Sequence, residues 1–421
     1  MENSFQVLTL GECIYDSPVT SSFNIDKSSS VLVNTTLQGC ADCNGDPVWF
    51  EQAGPRKKLF FAPREGRAAI VTCGGLCPGL NSVIRGLTMV LWYRYGYRSI
   101  LGIRYGYNGL TRAARQPPVN LTPDIVEDIH KDGGTILGSS RGPQKSAEIV
   151  DFLVSNRINI LFTVGGDGTQ RGALSISNEI KERGLNIAVV GIPKTIDNDI
   201  SYTERTFGFE TAVAMSQAPI VSAHMEAKGA FNGIGLVKLM GRESGFVAAY
   251  ASLASGDVNI VLVPEIPFET ENLMSYLTKR LKRKSHAVIV VAEGAGQHLV
   301  PTDGVDASGN RKLGDIGLFL KKSIIEYMNN INMKVSVKYI DPSYTIRSAP
   351  ASADDSVFCF QLAANAVHAA MAGRTAMVVA LWNGKFVHVP MEKAVEKRKK
   401  IDPCGLLWQC VQDYTGQPSL A

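Results

Sequence analysis

Short, β-branched runs that mostly end in a glycine-rich or polar loop recur along this chain and restrict the folds open to it. Amphipathic segments with helical spacing separate the runs, and this alternation is typical of a largely parallel α/β sheet. One such segment spans 122–131, where Thr122 can cap a helix and Pro123 suits its first turn. The predicted strands are 68–73, 158–164, 187–191, 235–239, 259–263, 287–292 and 376–380.

Composition narrows the class of protein. A chain of 421 residues that is 45% hydrophobic can bury a large core and predicts two or three domains. The 43 basic and 39 acidic residues give a formal charge of +4, too balanced for the basic field of a nucleic-acid binder. No apolar run approaches the ~20 residues of a membrane helix, and the polar start lacks the pattern of a secretory signal. We therefore expect a cytoplasmic protein without nucleic-acid or membrane partners.

The first 65 residues differ from the rest, being rich in Ser, Thr, Asn and Pro with little periodicity. They predict an N-terminal extension that is packed on the core or partly disordered. Cys40 and Cys43 in this extension, and Cys73 and Cys77 around a glycine turn, have spacings compatible with metal or redox sites. Neither pair has a histidine cluster or a second CxxC beside it, so we expect reduced thiols, and a redox role for Cys40 and Cys43 stays open.

Ligands of open α/β sheets collect where strands end, which directs attention to three loops. The first, 73–79, joins a strand to a helix that begins near Leu80. Its glycines would let backbone amides approach an anion, and the helix N-terminus would favour negative charge. Glycine turns also follow strands for purely steric reasons, so this loop alone decides little.

The second loop, 164–172, contains Asp167 among glycines. A carboxylate there would repel a phosphate unless a divalent cation lay between them. The loop therefore predicts that Asp167 binds a magnesium ion carried by phosphate groups. The alternative is a glycine turn whose aspartate caps the next helix.

The third loop, 193–199, sets Asp197 and Asp199 two residues apart beside Lys194 and Thr195. Two carboxylates so close resist joint ionisation unless a cation or a proton separates them, which suits a proton acceptor next to a metal. Phosphoryl transfer needs in-line positioning, neutralisation of charge and removal of one hydroxyl proton. The alternative is an Asx-rich turn without chemistry.

Together these loops belong to a longer set of segments that resembles the phosphofructokinase family. GGDGT also occurs in NAD and diacylglycerol kinases, whereas PKTIDND followed by LMGRESG and AEGAGQ is highly specific. GGLCPG, the lysine of PKTIDND and YIDPSYTIR are similar to the plant and protozoan branch rather than the bacterial one. The segments run in family order: GGLCPGLN (74–81), GSSRGP (138–143), GGDGT (165–169), GIPKTIDND (191–199), GFETA (208–212), KLMGRESGF (238–246), PEIPF (264–268), AEGAGQ (292–297) and KYIDPSYTIRSAPA (338–351).

The resemblance implies a role for each matching position. Asp197 would be the base that takes the proton from the sugar 1-hydroxyl, and Thr195 would lie by the transferring phosphate. Asp167 and Asp199 would hold Mg²⁺, and Arg141 would meet the charge that grows on the moving phosphoryl group. The implied nucleotide-binding positions are Gly75, Arg141, Gly166, Asp167, Gly168, Thr169 and Gly172.

On the sugar side, the resemblance implies a site for fructose 6-phosphate in which Arg242 is also catalytic. Bacterial relatives carry an arginine nine residues before the arginine of MGR, supplied across a subunit interface, whereas this chain has Gly233. Lys338 could still reach across, so we expect a homo-oligomer, a dimer or tetramer. The implied sugar-binding positions are Thr195, Asp197, Met240, Gly241, Arg242, Glu293, Lys338, Tyr344 and Arg347.

Two phosphate donors remain open within the family. Pyrophosphate-dependent members carry an aspartate after the GGD aspartate, filling space a nucleotide would use, and this chain has Gly168 there. Lys194 resembles a lysine of pyrophosphate enzymes, although plant and protozoan ATP enzymes share it. We therefore expect ATP as co-substrate with Mg²⁺. A NAD-kinase-like enzyme would lack KLMGRES and AEGAGQ, and a catalytically silent regulatory subunit is disfavoured by the intact acids and arginines.

The expected architecture is α/β, with two Rossmann-like, three-layer domains of the phosphofructokinase type that exchange segments. A nucleotide-binding domain is predicted over 66–205 and 352–392, a sugar-phosphate domain over 206–351 and 393–421, and the active site in the cleft between them. The family implies allosteric control in glycolysis, but the bacterial pattern of regulation is not carried over. The basic run 393–400 is interpreted as a solvated helix face.

Overall fold

A computed structural model describes residues 5–19, 24–26, 28–36, 47–112, 114–300, 302, 304, 305, 309 and 311–421. The chain divides into two compact units. Unit 1 comprises Met1–Thr195, Ile200–Gly208 and Ser348–Lys397, and unit 2 comprises Ile196–Asp199, Phe209–Arg347 and Arg398–Ala421. The four residues Ile196–Asp199 thus belong to unit 2, whereas the sequence-based boundaries include them in the first domain.

The elements follow one another in an α/β order. The strands are β1 (Leu8–Thr9), β2 (Tyr15–Asp16), β3 (Ser30–Leu32), β4 (Trp49–Gln52), β5 (Lys58–Leu59), β6 (Arg67–Thr72), β7 (Ser99–Ile103), β8 (Val119–Asn120), β9 (Ile160–Gly165), β10 (Ala188–Pro193), β11 (Gly233–Leu239), β12 (Ile260–Leu262), β13 (His286–Ala292), β14 (Ser336–Ile340), β15 (Arg374–Thr375), β16 (Met377–Trp382) and β17 (Lys385–Pro390). The helices are α1 (Leu80–Tyr95), α2 (Ser146–Ser155), α3 (Asp167–Glu182), α4 (Phe209–Met215), α5 (Gln217–Lys228), α6 (Phe246–Ser255), α7 (Thr270–Lys284), α8 (Ile316–Asn330), α9 (Ser343–Ser348), α10 (Ala353–Met371), α11 (Met391–Glu396) and α12 (Leu406–Thr415).

Unit 1 is built on a nine-stranded sheet of order β3-β4-β17-β16-β10-β9-β6-β7-β8. Its central strands β16, β10, β9, β6 and β7 are parallel, and β9 and β10 are buried along their whole length. Thr72 and Ile192 both pair with Val164, so β6, β9 and β10 end at one edge. In that register the three predicted loops begin at the same edge of the sheet.

Unit 2 is built on a four-stranded, all-parallel sheet of order β12-β13-β11-β14. Leu239 at the end of β11 pairs with Ala292 at the end of β13, so the segments that follow them begin side by side. A core of aliphatic side chains from this sheet and from α7 and α8 is almost fully buried. The predicted α/β class with mostly parallel strands is confirmed.

The described part of the N-terminal extension packs on unit 1. β3 and β4 extend the large sheet through β17, and β1 pairs with β15. Phe50 and Leu59 are fully buried. Cys40 and Cys43 lie outside the described residues, and the described cysteines are free thiols.

The prediction of a helix over 122–131 is wrong. Thr122 does cap one turn through its hydroxyl and carbonyl, but the segment continues as turns and a short 3₁₀ helix over Ile129–Lys131. Side chains of α1 determine this path: Arg85 donates to the carbonyl of Glu127, and Asn81 to that of Asp132. These tertiary hydrogen bonds replace the helical ones that the local pattern predicts.

Within the described residues, no helix combines the length and the apolar character needed to cross a membrane.

A buried ionic cluster fixes the extension to the sheet of unit 1. Glu51 on β4 accepts hydrogen bonds from Arg374 (2.6 Å to Nη2), Arg56 (3.1 Å) and His388 (2.9 Å to Nδ1). Burial raises the pKa of the Glu51 carboxyl, but the bonds from His388 and Arg374 outweigh it and hold the pKa far below its usual value. The glutamate therefore stays charged and compensates two buried guanidinium groups.

Substituting Glu51→Gln should lower the free energy of unfolding by about 3–5 kcal/mol, because it leaves buried cations without a counter-charge. The loss should appear as a lower urea midpoint, and the difference from wild type should shrink as pH falls below ~4, where the unfolded glutamate becomes protonated. The matched control is Glu179→Gln, which breaks an exposed pair with Arg183 and should cost at most about 1 kcal/mol. Equal effects of the two substitutions would contradict this account of the cluster.

Candidate active site

The first glycine loop of unit 1 lies against the segment that carries Arg141. The Gly74 N–H donates to the Ser140 carbonyl at 3.0 Å, and the Ser139 hydroxyl donates to the Gly74 carbonyl at 2.5 Å. Gly74 has a φ of +87°, which glycine adopts without strain. These bonds bring Gly75 and the exposed Arg141 to neighbouring positions at the end of β6.

The second loop forms the N-terminus of the 16-residue helix α3, with Gly166 as its cap and Asp167 as its first residue. Backbone N–H groups point out of such a helix end, where the helix dipole favours an anion. Gly168 is exposed, and no described atom lies within 4 Å of the position a Cβ would take there. The helix end therefore has open space for a phosphate-bearing ligand.

Other predicted nucleotide positions are held by packing. The Tyr107 hydroxyl donates to the carbonyl of Thr169 at 2.8 Å, and a Cβ at Gly172 would lie 2.8 Å from the Tyr107 ring. Gly172 thus allows the helix to approach this tyrosine. Lys194, directly after β10, is buried and donates to the carbonyl of Gly75 at 2.7 Å. The Thr206 hydroxyl donates to the carbonyl of Thr195 at 2.5 Å.

In unit 2, the acid loop 197–199 is crowded with negative charge. Burial, followed by the charges of Asp199 and Glu293, raises the pKa of Asp197 to about 8. The Arg242 backbone N–H, 3.4 Å from Asp197 Oδ2, and the charge of Arg398 oppose this rise. Asp199 is buried and receives a hydrogen bond from Arg398 Nη1 at 3.2 Å. The loop is therefore suited to accept a proton once additional positive charge is bound.

The strip Met240–Arg242 and Glu293 lie side by side because β11 and β13 end together. The Gly294 N–H donates to the Gly241 carbonyl at 3.0 Å, and a Cβ on Gly294 would lie 1.9 Å from the Arg242 carbonyl oxygen. Only glycine allows the two backbones to approach so closely. Burial raises the pKa of the Glu293 carboxyl despite the nearby cations Arg242, Lys238 and Arg347.

Tyr344 and Arg347 lie on α9, directly after β14. The Arg347 guanidinium carbon is 4.5 Å from the centre of the Tyr344 ring, a cation–π contact, and Tyr344 is 76% exposed. Both side chains are therefore presented from one short helix beyond the end of the sheet, and Arg347 lies close enough to Glu293 to affect its titration.

Lys338 is not part of this cluster. It lies in the middle of β14, opposite Gly235 of β11, and its exposed ammonium is 3.9 Å from Glu226 on α5. Gly233 contacts the end of the same helix: a Cβ there would be 2.1 Å from the Ala227 carbonyl oxygen, which leaves no space for an arginine side chain.

The basic run 393–400 is not a solvated helix face, because α11 ends at Glu396 and the chain then crosses unit 2 as a strap (Arg398–Ile401). Besides the Arg398–Asp199 bond, the Lys399 N–H donates to the Asp199 carbonyl at 2.9 Å, and the Ser244 hydroxyl donates to the Lys399 carbonyl at 2.6 Å. The strap therefore joins the acid loop to the turn after the strip 240–242. Arg398 lies 199 positions after Asp199 in the chain, which explains why the local sequence pattern did not identify it.

The two predicted metal ligands offer oxygen donors of the kind that Mg²⁺ prefers. Asp167 is paired with Arg171 at 3.1 Å and Asp199 with Arg398 at 3.2 Å. Over the part of the chain that the structure describes, no group of three or more His, Cys, Asp or Glu side chains is arranged to hold a metal. These carboxylates fit an ion that arrives on nucleotide phosphates better than a closed protein cage.

Comparison with known proteins gives consistent results over nearly the whole chain. The model of the family described as Phosphofructokinase matches residues 67–370. A protein of Borreliella burgdorferi named ATP-dependent 6-phosphofructokinase is 49% identical, and the match covers 98% of this chain and 97% of the relative's length. A protein of the same name from Entamoeba histolytica is 48% identical, covering 96% and 93%. ATP-dependent 6-phosphofructokinase 5, chloroplastic, from Arabidopsis thaliana is 46% identical, covering 90% and 71%.

Solved structures share the fold at lower identity. A pyrophosphate-dependent phosphofructokinase from Marinobacter aquaeolei superposes with a TM-score of 0.70 at 20% identity, covering 85% of this chain and 92% of its own. The phosphofructokinase of Pichia pastoris in the T-state gives 0.64 at 24% identity, covering 79% and 35%. The family model and the near full-length relatives together establish that the chain belongs to the phosphofructokinase family.

Proposed function

We propose that this chain is an ATP-dependent 6-phosphofructokinase, which transfers the γ-phosphate of ATP to the 1-hydroxyl of fructose 6-phosphate in glycolysis. The observation that carries the proposal is the 49% identity to a relative of that name over 98% of the chain. The strand-end loops support it, because they contain every kind of group that phosphoryl transfer requires.

We propose that unit 1 binds the nucleotide. The N-terminus of α3, with the open space at Gly168, is suited to the phosphates, and Gly75 and Arg141 lie on two loops joined by hydrogen bonds. Arg141 would interact with the phosphoryl group in transit, and Thr195 would hydrogen-bond to it. Pyrophosphate is the less favoured donor, because Gly168 leaves open the space that an aspartate fills in the pyrophosphate-dependent members of the family.

We propose that unit 2 binds the sugar phosphate and supplies the base. Asp197 would remove the proton of the 1-hydroxyl, Met240–Arg242 would lie along the sugar, and Glu293 would accept hydrogen bonds from its hydroxyls. Tyr344 and Arg347 would bind the 6-phosphate, and Lys338 would reach the 6-phosphate of a neighbouring subunit. Asp167 and Asp199 would hold Mg²⁺, which, when bound with ATP, would neutralise phosphate charge and lower the pKa of Asp197.

The role of Lys338 predicts a homo-oligomer. The outer surface of α5, next to Lys338, exposes Val221 and Met225, and Phe231 beyond the helix is 75% exposed. Apolar side chains beside an outward lysine are suited to an interface between two copies of the chain. The cytoplasmic location expected from the sequence stays a prediction, since the name of one relative assigns it to the chloroplast.

The proposed donor is tested by assaying fructose 6-phosphate and Mg²⁺ with ATP or pyrophosphate. ATP should support turnover, and Gly168→Asp should lower kcat/KM for ATP by ~10² or more, because a carboxylate would enter the space assigned to phosphate. Gly168→Ala, which adds only a methyl group into open space, serves as the control and should keep most activity. Turnover with pyrophosphate alone would refute ATP as the donor.

Asp197→Ser should lower kcat by ~10²–10⁴ while the KM values change little, because the substitution removes the base and leaves the proposed nucleotide and 6-phosphate contacts in place. Steady-state kinetics give both parameters. Asp413→Ser, the same change on the exposed side of α12, should behave as wild type. A kcat for Asp197→Ser near that of wild type would exclude Asp197 as the base.

Arg347→Ala and Lys338→Ala should each raise the KM for fructose 6-phosphate by ~10-fold or more, with a smaller effect on kcat, because each removes a charged donor to the 6-phosphate. Lys322→Ala removes an exposed lysine on α8 and should leave the KM unchanged. An unaltered KM in either variant would remove that residue from the proposed phosphate site.

A further inference from the structure

Lys238 on β11 is a largely buried cation to which the proposed reaction assigns no role. Its side chain is 12% exposed and lies between two carboxylates, 3.1 Å from Asp315 and 2.9 Å from Asp341. Burying charged groups is costly, and well-packed apolar residues often stabilise a fold as well as an ion pair does. Stability alone is therefore a weak reason for a lysine here.

The two carboxylates hold different elements. Asp341 forms the turn between β14 and α9, where its Oδ1 accepts hydrogen bonds from the Ser343 N–H at 3.1 Å and the Ser343 hydroxyl at 2.5 Å. Ser343 is the first residue of α9, the helix that carries Tyr344 and Arg347. The position of this short helix thus depends on Asp341, and Lys238 holds the other oxygen of the same carboxylate.

Asp315, the second partner of Lys238, holds a different helix. Asp315 caps α8 by accepting a hydrogen bond from the Leu318 N–H at 3.1 Å, and it also accepts one from the Tyr339 hydroxyl at 3.0 Å. Helix α8 supplies none of the proposed substrate contacts. Lys238 therefore pairs with two carboxylates of different function. Asp341 positions the proposed phosphate-binding helix, whereas Asp315 caps a helix without a proposed substrate contact.

We propose that Lys238 is a positioning residue for the sugar phosphate: through Asp341 it fixes the turn that presents Tyr344 and Arg347 to the 6-phosphate. The inference rests on the proposed function and extends it to a residue that contacts no substrate itself. Lys238 lies close enough to Glu293 to influence its titration, so the same ammonium links the strand that ends in Met240–Arg242 to the turn before α9.

The test compares Lys238→Met, which keeps the apolar stem, with wild type. The Kd for fructose 6-phosphate from calorimetry, and its KM, should rise about tenfold, the loss expected when charge-assisted contacts are misplaced. At saturating sugar phosphate kcat should stay within about twofold, and the KM for ATP should not change. Lys238→Arg, which can still bridge both carboxylates, should recover most of the affinity.

A matched pair of variants separates positioning from general destabilisation. Asp341→Asn should reproduce the tenfold rise in Kd, and the double variant with Lys238→Met should be no worse than the weaker-binding single variant, because both remove one interaction. Asp315→Asn removes the charge of the second partner of Lys238 while keeping a side chain that can cap α8, so the Kd of this variant should match that of wild type. Because Asp341 lies at the surface, its variant still tests the inference if Lys238→Met folds poorly.

Each outcome bears on a different claim. Unchanged Kd values in folded Lys238→Met and Asp341→Asn would overturn the inference while leaving the proposed function standing. Equal losses in Asp315→Asn and Asp341→Asn would overturn it too, since the lysine would then act through the fold as a whole. A wild-type enzyme that did not phosphorylate fructose 6-phosphate would overturn the proposed function and the inference together.

Discussion

Negative charge concentrated in a small part of unit 2 is the constraint on which the proposed chemistry depends. Burial raises the pKa of Asp197, and the nearby charges of Asp199 and Glu293 raise it further. The protein compensates in part through Arg398 and the Arg242 backbone N–H. The remaining imbalance would favour the arrival of positive charge, because a base that is hard to ionise in the free protein becomes easier to ionise when a cation is bound nearby.

Within each unit, the arrangement of parallel strands explains how side chains from distant parts of the chain come together. In unit 2, the end-to-end register of β11 and β13 places the Met240–Arg242 strip beside Glu293. In unit 1, β6, β9 and β10 end in register, so the three loops that follow them begin at one edge of the sheet. Such loops can change without disturbing a buried sheet, so the chemistry is concentrated where the fold tolerates special residues.

Much of this was predictable from sequence, because the information is local. All seven predicted runs overlap observed strands, and the glycine-rich loops that follow them could be read directly. The local pattern is misleading where long-range contacts override it. Asn81 and Arg85 hold the 122–131 segment out of a helix, and Arg398, in a run whose pattern predicts a solvated helix face, pairs with Asp199. Lys238 was missed for the same reason, since its partners follow it by 77 and 103 positions in the chain.

A crystal structure with fructose 6-phosphate and a magnesium complex of a non-hydrolysable ATP analogue would decide whether Asp197 takes the proton of the attacking hydroxyl. An Asp197 carboxylate oxygen should lie within about 2.6–3.2 Å of the sugar O1, or be linked to it through one water, with O1 aligned with the γ-phosphorus. An O1 bound to a different base, with Asp197 turned away from it, would contradict the account.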